Sequence, residues 1–161
     1  GQFDFSYIEP NLAIGAETVA HNHSLLKGEG FSYVLNVSSV SGPVYDDSIT
    51  NKWYNMTDTI SQYLFSVLED GISFINTALE GNHKILVHCQ AGASRSVALV
   101  VAYYMWKYRM SYDLSMQHIR ERRRKADPNI GFADQLIMLD KYLQETDYNL
   151  AMSCEMGVCV R

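Results

Sequence analysis

Cys89 and Arg95 bracket the run Val87-His88-Cys89-Gln90-Ala91-Gly92-Ala93-Ser94-Arg95-Ser96, with only small or neutral residues between them. An apolar stretch, Lys84 to Val87, precedes the run and reads as a buried strand. A second one, Val97 to Trp106, follows and reads as a buried helix. The run therefore sits on a strand-to-helix turn, where free N–H groups and the positive end of a helix dipole converge. Such a turn binds a dianionic oxyanion and lowers the pKa of a thiol placed inside it. Gly92, with Ala91, Ala93 and Ser94, lets the backbone curl tightly enough for several amides to face one centre. Arg95 adds a planar, permanently charged fork. The chemistry indicated is thiolate attack on a phosphoryl group.

Each side chain then has an expected part. Cys89 is the candidate nucleophile, and Arg95 the clamp on two phosphate oxygens. The backbone of Gln90, Ala91, Gly92, Ala93 and Ser94 completes the cradle. Ser96 can donate a hydrogen bond toward the sulfur, or cap the following helix. His88 adjoins the nucleophile, but neighbours on a strand point to opposite faces. It is expected to be a buried, hydrogen-bonded histidine that supports the loop rather than a base. A leaving alkoxide or phenoxide needs a proton from a separate loop. Asp46, Asp47 and Asp58 are the loop acids that compete for that task, Asp58 in the polar setting Thr57-Asp58-Thr59.

The rest of the chain must position these groups. Ile8 to Ile14 suggests a first strand, interrupted by Pro10-Asn11, and Glu17 to Lys27 a short helix ended by Gly28 and Gly30. Phe31 to Val37 reads as a buried strand, Ser38 to Lys52 as a loop, and Trp53 to Met56 as a short strand. Leu64, Leu68, Ile72, Ile75 and Leu79 share one helical face, which predicts a helix from about Gln62 to Glu80. Ser111 can cap a helix reaching toward Lys125, and Phe132, Leu136, Leu139 and Leu143 stripe a last one. Strands alternating with helices predict an α/β fold: a central, mostly parallel sheet with helices on both faces. Residues 1–146 are expected to form one catalytic domain, and residues 147–161 a flexible C-terminal tail.

Composition narrows the classes. The 161 residues fit one domain with a sizeable core. A net charge of −5 argues against nucleic acid as a general partner. No apolar run approaches the roughly 20 residues needed to cross a bilayer, so no membrane insertion is expected. Three cysteines do not suggest a secreted disulfide framework, and a free thiolate suits the cytoplasm or nucleus. Cys154 and Cys159 lie in the tail without metal-ligand spacing, so neither metal nor cofactor is expected.

With Ala102-Tyr103-Tyr104-Met105, Pro10-Asn11-Leu12, Leu35-Asn36-Val37, Pro128-Asn129 and Gly131-Phe132, the loop gives the chain a clear likeness. It resembles the dual-specificity protein phosphatases, the compact branch of the cysteine-based tyrosine phosphatases, from about Ile8 to Leu143. The Ala-Gly-x-Ser-Arg-Ser form resembles both MAP-kinase phosphatases and their small atypical relatives. The resemblance implies hydrolysis of phosphotyrosine and phosphoserine or phosphothreonine through a cysteinyl-phosphate intermediate. It places the general acid at Asp58, an asparagine side chain bracing the catalytic loop at Asn129, and a substrate-binding cation at Arg124. A phosphoprotein substrate, a MAP kinase among the candidates, follows from it.

The loop interior also speaks to substrate. Phosphoinositide phosphatases of this superfamily place lysines there, and RNA-phosphatase relatives His and Asn; Gln90 to Ser94 carry no charge. The short Ser38–Lys52 loop implies a shallow cleft. Two other readings compete: a weak or inactive phosphopeptide-binding module, and a phosphatase for a non-protein phosphate ester.

Overall fold

Ile85, Leu86 and Val87 lie on the middle strand of a five-stranded sheet, which delivers the Cys89–Arg95 loop to one sheet end. The computed structural model describes residues 3–151. The strands are β1 (Phe5–Glu9), β2 (Leu12–Gly15), β3 (Phe31–Asn36), β4 (Thr50–Trp53) and β5 (Lys84–His88), in the order β1-β2-β5-β3-β4. All pairings are parallel except β1 with β2. Side chains alternate across the strands. Leu12, Ile14, Leu35, Ile85 and Val87 face the larger core, and Ala13, Val34 and Leu86 the smaller one.

Helices cover both faces, as the mostly parallel order requires. α1 (Glu17–Ala20) and α2 (His23–Glu29) lie over the smaller core. α3 (Phe65–Glu80), α4 (Arg95–Lys107), α5 (Tyr112–Arg122) and α6 (Ile130–Glu145) build the larger one. α4 is buried nearly all round, so it carries an apolar sequence without a polar face. Ser111 Oγ accepts the Leu114 N–H at 3.1 Å, the predicted cap of α5.

Several boundaries differ from the sequence reading. Pro10-Asn11 does not interrupt one strand; it turns the chain so that β1 and β2 pair antiparallel as a hairpin. The helix expected over 17–27 is two, because Asn22 Oδ1 accepts the Leu25 N–H at 3.0 Å and starts α2 afresh. β4 lies three residues before the predicted strand, its register fixed by pairing Tyr33 with Thr50 and Asn36 with Trp53. α3 begins at Phe65 rather than Gln62, since the Leu64 N–H donates to Gln135 Oε1 at 2.7 Å. α5 stops at Arg122 rather than Lys125, where Arg123 turns extended (φ −139°, ψ 94°).

After α6 the chain stays docked as far as Leu150. Asp147 pairs with Arg109 at 3.0 Å, the Tyr148 ring lies under the Arg109 guanidinium, and Tyr148 and Leu150 pack on the core. Residues 147–150, the start of the expected tail, thus make specific contacts with the domain. Cys154, Cys159, Met152 and Met156 lie outside the described residues.

Candidate active site

β5 ends at His88, and the strand's alternation sends consecutive side chains to opposite faces. Cys89 joins the larger core, 2 % exposed, with Sγ 3.2 Å from Ser96 Oγ. His88 is fully buried and turns the other way, with Nδ1 3.3 Å from the Cys89 carbonyl oxygen. Burial pushes the imidazole down to about 4, so it is neutral at pH 7. A neutral ring aimed away from the sulfur cannot take a proton from it.

The loop between β5 and α4 is held by its outside. The Glu17 N–H donates to the Gln90 carbonyl at 3.0 Å, and the Asp127 N–H to the Ala93 carbonyl at 2.7 Å. Between them the Arg123 guanidinium donates to the carbonyls of Ala91 (3.3 Å) and Gly92 (2.7 Å). Four successive carbonyls are thus drawn outward, which leaves the amide N–H groups free to face the centre. Gly92 adopts φ +67°, and a Cβ there would lie 2.8 Å from the Gly15 carbonyl and 2.6 Å from Arg123 Nη2. Only glycine meets both demands.

Burial pushes the Cys89 thiol up, as it does any buried thiol. The Ser96 hydroxyl, the Ser96 and Gly92 amides and the Arg95 guanidinium outweigh it, so the thiol lies below its ordinary value. Arg95 is 6 % exposed; its Nη1 donates to the Met56 carbonyl at 2.9 Å, and its buried Nε has no partner among the described residues. Ser96 is fully buried inside α4 with its hydroxyl toward the sulfur, while Ser94 occupies the N-cap position.

Arg95 also ties the catalytic loop to the segment bearing Asp58, because Met56 lies two residues before that acid. Asp58 is exposed, and its Oδ1 accepts from Asn129 Nδ2 at 2.9 Å. The same amide reaches the Thr59 carbonyl at 3.1 Å. Asn129 contacts both loops, by a different route from the one expected. Its backbone N–H, not its side chain, reaches the catalytic loop, at Ser94 Oγ (2.9 Å). The side-chain oxygen is occupied in capping α6, accepting the Phe132 N–H at 2.9 Å. The remaining amide holds the acid loop. Asp46 accepts the Ser48 N–H at 2.9 Å and lines a groove with His23 and Lys27 over α2, which removes it from competition.

Two residues at this site were not legible in advance. Within the basic run after α5, Arg124 is exposed, and the side chain that turns inward to the loop is Arg123. The extended backbone at Arg123 makes the difference. Gly131, on the first turn of α6, lies against the acid loop: a Cβ there would stand 2.2 Å from the Ile60 carbonyl oxygen. Gly131→Ala is expected to displace that loop, costing about 1–3 kcal/mol of stability. Turnover should fall several-fold more on alkyl than on nitrophenyl phosphates, which thermal melting and steady-state kinetics would check.

A concavity of about 860 Å³ lies elsewhere, along the β1 edge among Tyr7, Glu9, Tyr104, Tyr108, His118 and Arg122. None of the residues from Cys89 to Ser96 lines it. Chemistry, rather than volume, locates this site.

The family model described as "Dual specificity phosphatase, catalytic domain" matches residues 12–142. Dual specificity protein phosphatase 1B of Arabidopsis thaliana is 37 % identical over 144 residues, covering 89 % of this chain and 86 % of its own length. Dual specificity protein phosphatase 1 of the same plant is 35 % identical over 142 residues, covering 88 % and 72 %. Among solved structures, a mouse protein of the dual specificity phosphatase fold, crystallised with zinc tungstate, superposes with a TM-score of 0.85. It is 29 % identical and covers 92 % of this chain and 93 % of that one. The matched span contains the Cys89–Arg95 loop, the Asp58 segment and the Pro128-Asn129 element alike. The chain therefore belongs to the dual specificity phosphatase family, and it is a protein phosphatase.

Proposed function

We propose that Cys89 is the nucleophile of a two-step hydrolysis of phosphotyrosine and phosphoserine or phosphothreonine in proteins. In the first step the thiolate attacks phosphorus, the ester P–O bond breaks, and Asp58 gives its proton to the departing oxygen. Arg95 and the loop amides of Gln90 to Ser94 take the charge of the equatorial oxygens. In the second step water attacks the cysteinyl phosphate, and Asp58 takes the proton from it. The P–S bond breaks, and the Ser96 hydroxyl stabilises the leaving thiolate. His88 supports the Cys89 loop from behind, and Asn129 holds that loop and the Asp58 segment in register. The steps balance with no further reactant.

The observation that carries this reading is a buried thiol held below its ordinary value, 3.2 Å from a hydroxyl aimed at it. A cysteine used only for packing would be pushed upward by burial. Release of phosphate from a small aryl phosphate, blocked by orthovanadate, is the test; an inert protein would overturn the reading.

The substrate range follows from the cleft. Asp58, Thr59 and Ile60 are exposed, and the loop interior carries no lysine. A shallow floor lets phosphothreonine reach the sulfur as phosphotyrosine does. Peptides of both kinds are expected to turn over, and phosphoinositides to be poor substrates. Arg124→Ala should weaken a doubly phosphorylated peptide more than a singly phosphorylated one, by about 1–3 kcal/mol. Strict phosphotyrosine selectivity or fast phosphoinositide turnover would contradict the shallow cleft. A MAP kinase fits such a doubly phosphorylated partner, in the cytoplasm or nucleus. Among the described residues no helix is long and apolar enough to cross a membrane.

A further inference from the structure

Arg120, Arg122, Arg124 and Lys125 are exposed, yet the Arg123 side chain in their midst is 2 % exposed. A buried guanidinium needs partners for its whole fork, and this one has them. Nε donates to the Gly92 carbonyl at 2.7 Å and Nη2 to the Ala91 carbonyl at 3.3 Å. Nη1 donates to Ser6 Oγ at 3.0 Å, and Nη2 pairs with Asp4 Oδ1 at 2.9 Å. Asp4 is itself fixed: Lys125 Nζ lies 2.6 Å from its other oxygen, and its backbone carbonyl accepts the Ala16 N–H at 2.9 Å.

In a trans peptide unit the carbonyl and the following N–H point in opposite directions. The Ala91 carbonyl, taken by Arg123, is one end of the unit whose other end is the Gly92 N–H. That N–H is thereby turned toward the loop centre, where it helps hold the Cys89 thiol below its ordinary value. The Gly92 carbonyl, also taken by Arg123, is one end of the unit that ends in the Ala93 N–H. One planar fork thus sets two adjacent peptide planes, and lysine, a point donor, cannot do the same.

We infer that Arg123 is a positioning residue for the catalytic loop. Anchored by Asp4 and Ser6, it holds the Ala91 and Gly92 carbonyls outward and so turns the Gly92 and Ala93 amides toward the sulfur and the phosphoryl group. It touches neither reacting atom. The N-terminal segment at Asp4 becomes part of the catalytic apparatus through it. This inference rests on the reading of Cys89 as nucleophile.

The test uses Arg123→Lys and Asp4→Asn in the full chain. Alkylation of Cys89 is followed against pH by mass spectrometry of its peptide, alongside kcat, KM and orthovanadate inhibition on an aryl phosphate. Arg123→Lys should move the alkylation midpoint to higher pH, lower kcat by about tenfold or more, and weaken vanadate binding. Asp4→Asn should do the same to a smaller extent. A merely structural role would lower the melting temperature and leave the alkylation midpoint and vanadate constant alone; that result overturns the inference. If Arg123→Lys does not fold, Asp4→Asn decides, and a wild-type alkylation midpoint in that variant overturns it equally. An inactive wild-type protein would instead overturn the reading of Cys89, while the alkylation midpoints would still report on Arg123.

Discussion

Cys89→Ser is expected to lose turnover by at least about a thousandfold while still binding orthophosphate and phosphopeptides. The substitution removes the attacking thiolate and leaves the outward carbonyls, the inward amides and Arg95 untouched. A serine hydroxyl in the same place lacks the thiol's acidity, and His88, neutral and sent by strand alternation to the face opposite Cys89, is not placed to deprotonate it. Titration calorimetry with a phosphopeptide, beside kinetics on the same peptide, checks both halves. Turnover within tenfold of wild type would remove Cys89 from the mechanism. The wild-type thiol should also alkylate as a thiolate well below the free value of about 8.5. Because its pKa is lowered, the reactive thiolate is present above the shifted value and is lost only as pH falls through it.

Asp58→Asn has the second largest expected effect, and the effect depends on the leaving group. An alkyl phosphate such as phosphothreonine expels a strongly basic alkoxide, so losing the proton donor should lower kcat by about a hundredfold or more. Nitrophenolate departs without help, and its phosphate should lose far less. Asn129 Nδ2 donates to Asp58 Oδ1 and can still meet the carboxamide oxygen of the variant, so the loop should keep its place. Equal losses on both substrates would move the acid elsewhere, with Asp47 the first position to try.

The parts of this site written in local sequence could be read without coordinates. Val87, Cys89, Gly92, Arg95 and the apolar helix behind them lie within one strand, one turn and one helix, and each signals its own conformation. Ser111 and the stripe from Leu68 to Leu79 are local in the same sense. What escaped depends on contacts between distant segments. The basic run after α5 gives no hint that Arg123 rather than Arg124 turns inward, because that follows from where the helix stops. The ion pair with Asp4, at the other end of the chain, then fixes the inward guanidinium. Gly131 reads as an ordinary helix residue until Ile60 is placed against it. The Asn129 side chain does not reach the Cys89 loop as expected, because its one oxygen caps α6 and its one amide turns to Asp58 and Thr59. Local pattern puts the short strand at Trp53–Met56, three residues late, because pairing with β3 sets β4 at Thr50–Trp53.

The mechanism turns on a covalent phosphoryl group on the Cys89 sulfur, and the direct measurement is to trap it. Ser96→Ala removes the hydroxyl 3.2 Å from that sulfur, which should slow departure of the thiolate and let the intermediate accumulate. Rapid acid quenching during turnover of an aryl phosphate, followed by mass spectrometry of the peptides, should find one phosphoryl group on Cys89 and none in Cys89→Ser. A phosphoryl group on another residue, or continued turnover with no covalent species on Cys89, would contradict the account.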